Sequence, residues 1–132
     1  MHLRYIILLL WSSALVQKGD EKSVINPERM HKACYGVRKD LWGLGVSMSF
    51  DPAPDYPHSE QVAEALEQLL ERGGISHDVV EGNRQYVLTL SQAKRHVNHL
   101  KVGITSKTSD TLRRMVEPFA REVLAAETTN VR

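Results

Sequence analysis

Ser59 to Leu90 reads SEQVAEALEQLLERGGISHDVVEGNRQYVLTL: a capped amphipathic helix, a glycine stop and a hairpin in immediate succession. Ser59 can accept a hydrogen bond from the free amides of a first helical turn. Glu60 follows where the helix dipole favours negative charge. Val62, Leu66, Leu69 and Leu70, flanked by Ala63 and Ala65, recur at helical spacing and form one apolar stripe. Glu60, Glu64, Glu67 and Glu71 fall away from it, and Gly73 with Gly74 supplies the left-handed stop that ends such a helix. A helix over 59–72 is expected. Asp78-Val79-Val80 and Gln85 to Leu90 are then rich in β-branched and aromatic residues, with Glu81-Gly82-Asn83 as the turn between them. Strands over 76–81 and 84–90 follow, with Tyr86, Leu88 and Leu90 on the core face.

Toward the N-terminus, Leu44 to Phe50 alternates. Leu44, Val46, Met48 and Phe50 share one face, which reads as a half-buried strand over 44–50. Asp51 to Pro57 holds three prolines and cannot be regular structure. Asn26 as cap, Pro27 and Glu28 open a helix near 28–41, with Met30, Cys34, Val37 and Leu41 at helical spacing. Gly36 weakens its middle by about 1 kcal/mol relative to alanine. Gln17 to Asn26 is polar and reads as a linker. The first segment, MHLRYIILLLWSSALVQKGD, fits two readings: a short secretory signal cleaved after Ala14, or a buried strand over 4–11 joining the sheet. Its apolar run is shorter than the ~20 residues a membrane span needs. Cytoplasmic and exported locations therefore both stay open.

Beyond the hairpin, Ser91 reads as the cap of a helix near 92–102, with Ala93, Val97 and Leu100 inward and Gly103 as its stop. A last helix near 110–127 carries Leu112, Met115, Val116, Phe119, Val123 and Leu124 at helical period. Pro118 inside it predicts a kink or a restart. The expected fold is α+β: a small mixed sheet covered by helices, with 27–132 as one domain and 1–26 as signal or strand plus linker.

Composition bounds the function. The 132 residues are 42% hydrophobic and 25% charged, with a formal net charge of +1, ordinary values for a globular domain. A single cysteine, Cys34, excludes an intramolecular disulfide and a cysteine-based zinc cluster. Charge is segregated along the chain. Residues 51–83 set Asp51, Asp55, Glu60, Glu64, Glu67, Glu71, Asp78 and Glu81 against Arg72 alone. Residues 84–114 set Arg84, Lys94, Arg95, Lys101, Lys107, Arg113 and Arg114 against Asp110 alone. Such polarity steers an anionic partner, or lets the two halves neutralise each other within the fold.

The basic set Arg84, Lys94, Arg95, Lys101, Arg113 and Arg114 is the candidate partner-binding surface, toward nucleic acid or an acidic polymer or protein. Only Tyr86 interleaves with it, which argues against base stacking. His96 and His99, three apart on one helix, form a candidate pair for zinc or a similar divalent metal, with His77, His58 or Asp55 as third ligand. Asp51 and Asp55 flank prolines as paired carboxylates. No GxSxG, GxxxxGK[ST], GxGxxG or HExxH occurs, so no catalytic residue is assigned.

Three stretches resemble known families. LEQLLERGGISHDVVEGNRQYVLTL resembles the recognition helix and wing of winged-helix DNA-binding domains. The order of elements from Val46 to Leu100 is similar to sporulation-related peptidoglycan-binding domains, which implies a strand–helix–strand–strand–helix succession. LKVGITSKTSDTLRR is similar to the second half of a GIY-YIG nuclease motif, with Arg113 near the expected arginine. The function expected from the residues is a non-enzymatic binding or regulatory domain, without cofactor, that presents the basic helix to an anionic partner. A metal-dependent hydrolase on His96 and His99 and an exported peptidoglycan- or protein-binding module are the alternatives.

Overall fold

The computed structural model describes residues 2–52, 55–101 and 104–129. At its centre lies α1 (Leu3–Lys18), closed by Gly19, whose left-handed φ of 82° lets its amide reach the Leu15 carbonyl at 2.8 Å. Ile6 to Ser12, Ala14 and Leu15 are all buried. A helix apolar on every side belongs inside a core, with neighbours all round, and α1 has them in three later helices. Residues 4–11 are therefore not a strand. Consecutive apolar residues without a period do not separate strand from buried helix, and here packing on all sides decides for helix. Cleavage after Ala14 would take out the middle of the core that this fold shows.

The presumed linker holds β1 (Lys22–Ile25), with Ser23 and Ile25 buried. The Trp11 indole N–H donates to Ser23 Oγ at 2.9 Å and ties this strand to α1. Asn26 Oδ1 accepts from the Arg29 amide, and Pro27 starts α2 (Pro27–Gly36). The expected single helix over 28–41 breaks at Val37, and α3 (Arg38–Gly43) follows as a separate short turn. Gly36, the weakest helix former in the run, stands at the break.

Residues 44–50 are not a strand. Leu44, Val46, Met48 and Phe50 still lean on the core while Gly45, Ser47 and Ser49 are exposed. Among the described residues no neighbour offers this segment a backbone ladder, apart from an isolated bridge between Asp51 and His58 just beyond it. The strand–helix–strand–strand–helix succession implied by the peptidoglycan-binding resemblance loses its first strand.

α4 (Glu60–Glu71) forms as expected. Ser59 Oγ accepts from the Val62 amide, and Val62, Ala65, Leu66 and Leu69 are buried. β2 (Ser76–Val80) and β3 (Asn83–Thr89) make the hairpin on a two-residue turn, Glu81 (φ 53°) and Gly82 (φ 80°). Positive φ at both positions gives the turn the twist that matches a two-residue hairpin. The sheet runs β1-β3-β2, and both pairings are antiparallel: Ile25 opposite Tyr86, and His77 opposite Tyr86 on the other side. Tyr86 and Leu88 point into the core as the alternation required. The molecule is α+β, with a small three-stranded sheet and a predominance of helix. α4 is followed directly by the β2–β3 hairpin.

α5 (Leu90–Leu100) starts two residues earlier than the sequence suggests. Thr89, not Ser91, is its cap: Gln92 donates its amide to Thr89 Oγ1 at 3.1 Å, and the Thr89 amide donates to Gln92 Oε1 at 3.0 Å. The proposed stop at Gly103 lies outside the described residues. α6 (Ser106–Thr129) is one continuous helix that carries Pro118 inside it without a restart, and it buries Leu112, Met115, Val116, Phe119, Val123 and Leu124.

Candidate anion-binding surface

α5 packs chiefly on α1, and that contact decides what it shows to solvent. Ala93 is fully buried, Leu90 and Leu100 are half-buried against the core, and Val97 is half-buried. Lys94, Arg95, Asn98, His99 and then Lys101 are exposed. The helix is fixed in rotation by His96, whose Nε2 lies 2.8 Å from the Gly74 carbonyl in the turn after α4.

The six candidate cations divide into two groups. Arg84 is engaged: its guanidinium donates to Glu67 on α4 and to His77 Nδ1 at 3.2 Å, and it lies 5.8 Å from the Tyr86 ring centre. Arg113 pairs with Asp110 at 3.2 Å, and Arg114 reaches Asp40 at 3.5 Å. Lys94, Arg95 and Lys101 make no ion pair among the described residues. The glutamates of α4 do not tie them down. Glu67 takes Arg84, and Glu64 accepts from Gln68 at 3.3 Å.

The metal reading finds no support in the geometry. Among the described residues no three His, Cys, Asp or Glu side chains converge. His96 spends its Nε2 on Gly74, while His99 is exposed. Asp51 and His58 are joined by a pair of backbone hydrogen bonds. Cys34 is buried among apolar side chains, which pushes its thiol up to about 12, so it is no thiolate nucleophile.

A different cluster went unnoticed in the sequence. His31 of α2 is buried, its Nδ1 accepts the Ser59 amide at 3.0 Å, and its ring stacks on His58 at 4.5 Å with Tyr56 at 5.6 Å. His31 falls beside Met30 and Cys34 on the buried stripe of α2, which was the available signal for its burial. Its partners come from a proline-rich loop whose path no periodicity predicts. Among these groups, only the outer face of α5 combines free charge with exposure.

Compared with known protein families, with curated proteins and with solved structures, the chain matches none.

Proposed function

We propose that the protein is a non-enzymatic binding module that presents Lys94, Arg95 and Lys101 to the phosphate backbone of a nucleic acid. The observation carrying this reading is that these three cations are exposed and make no ion pair among the described residues, while Arg84, Arg113 and Arg114 are each met by a carboxylate. A rigid helix holding free ammonium and guanidinium groups releases counterions when it meets a polyanion. The helix-and-wing likeness supports a nucleic-acid partner, but α4 is not the contact element. It exposes Glu60, Glu64 and Glu67, which repel phosphate. With no free aromatic platform beside the cations, contact is electrostatic and carries no base readout.

The test is anisotropy of a labelled duplex of about 20 base pairs, titrated at several salt concentrations. Three phosphate contacts predict a slope of log K against log salt near −2.7, from ~0.9 per contact. Lys94→Glu with Arg95→Glu should weaken binding by tenfold or more and flatten the slope by about two. Absence of binding at low salt, or a variant that keeps the parent slope, would sink the proposal. Binding to polyglutamate but not to duplex would transfer the surface to an acidic protein partner.

A further inference from the structure

α3 is a short helix whose inward side is fixed by Leu41, with Val37 buried just before it. Trp42 follows Leu41 and therefore turns away from the core, where it is 61% exposed. Tyr35 of α2 is exposed as well. Arg38 and Lys39 precede Trp42 at the two helical spacings that share a face, so both border the indole. The Arg38 guanidinium also lies 3.9 Å from the Tyr35 ring centre and donates to the Tyr35 carbonyl at 2.8 Å. One cation thus borders both aromatic residues. The chain beyond Trp42 is bare: Gly43 and Gly45 are exposed, with open space where a side chain would stand.

Charge complementarity selects the partner. Neither Arg38 nor Lys39 makes an ion pair among the described residues. Asp40, the one carboxylate on α3, is taken up by Arg114 at 3.5 Å. An exposed indole bordered by a guanidinium and an ammonium has the chemistry of a membrane-interface anchor. The amphipathic ring settles at headgroup depth while the cations meet anionic lipid. Stacking a run of bases asks for several free ring faces, and Arg38 already lies over Tyr35. A protein partner would surround a tryptophan with water-excluding side-chain contacts, which the glycines after Trp42 do not offer. A fluid bilayer needs no matching relief. We infer that Tyr35, Arg38, Lys39 and Trp42 form a docking patch for an anionic lipid surface, with Trp42 entering the headgroup layer. The patch shares no residue with the nucleic-acid reading, and either stands without the other.

Tryptophan emission and co-sedimentation with vesicles test it on the full chain. Trp11 is fully buried and Trp42 exposed, so a shift in emission on binding reports Trp42. Vesicles of phosphatidylcholine mixed in equal parts with phosphatidylglycerol should move the emission to the blue and sediment the protein. Vesicles of phosphatidylcholine alone should do so far more weakly. Trp42→Ala removes an exposed side chain, so it should leave the melting temperature unmoved while abolishing the shift and weakening sedimentation about tenfold. Arg38→Gln with Lys39→Gln should cost roughly 25-fold in vesicle affinity, about 1 kcal/mol for each cation removed. Lys94→Glu with Arg95→Glu should keep the blue shift, so failure of the nucleic-acid reading is told apart from failure of this one. Equal binding to phosphatidylcholine alone, or sedimentation with Trp42 emission unmoved, would overturn the assignment. The same blue shift with polyglutamate or with a single-stranded oligonucleotide would give the patch to another class of partner and overturn it too.

Discussion

His31 shows how one residue links the loop to the helices. With Nδ1 accepting from the Ser59 amide, the neutral ring carries its proton on Nε2. A second proton would remove that acceptor at the start of α4. Burial, and then the neighbouring His58 ring, push its pKa down to about 4. The unfolded chain titrates near 6.5, so between about pH 6.5 and 4 the unfolded state binds the extra proton and the folded state does not. The stability held by neutral His31 is thus complete above that window, falls as pH drops through it, and levels off below. The loss is at most about 1.4 kcal/mol per pH unit. His31→Asn keeps an acceptor for the Ser59 amide but cannot titrate there. Urea unfolding at half-unit steps should show the parent losing stability relative to the variant from pH 6.5 downward. Parallel curves would refute the role given to His31.

At the scale of elements, what the sequence disclosed depended on whether an element is decided by its own residues or by its neighbours. α4 and the hairpin were legible because their stripe, cap, stop and turn are all local. The 44–50 segment is not legible in that way, because burial alternation reports which side faces the core, not whether a neighbouring strand is there to pair. Leu44, Val46, Met48 and Phe50 obey the period of a strand without a ladder. Ser91 and Thr89 are both capping residues in the sequence, and only the reciprocal bond with Gln92 singles out Thr89. β2 carries a consequence of its own, since it is an edge strand with every residue exposed and with Val79 and Val80 at 62% and 43%. Asp78 Oδ1 accepts the Val79 amide at 2.9 Å and so covers one donor that a second chain would use. Asp78→Val both uncovers that amide and makes three adjacent β-branched residues. Light scattering on mild heating should show it aggregating several-fold faster than the parent, with Val79→Lys slower than either. Equal rates for all three would show that this edge is not where chains meet.

Across the whole molecule, the charge segregation seen in the sequence is answered only in part within the fold. Arg84 reaches over to Glu67, while the cations of α5 stay outward. That outcome was not legible, because charge order along a chain does not say which helix faces which. The same holds for the core. α1 looked like a leader or a strand at the margin, yet it is the body against which α4, α5 and α6 pack. Ile6, Ile7, Leu8, Leu9, Leu10 and Trp11 are each no more than 6% exposed. At ~1.5–3 kcal/mol for each such side chain, they contribute roughly 9–18 kcal/mol of burial, comparable with the ~5–15 kcal/mol that separates a whole domain from its unfolded state. Removing residues 1–14 would also open the core cluster that they share with Leu66, Leu88, Met115 and Phe119. The shortened chain should therefore lose the near-ultraviolet dichroism of a packed interior and melt without a cooperative transition, while the full chain melts sharply. A truncated protein that unfolds cooperatively would place the centre of the core elsewhere and return the first segment to the margin.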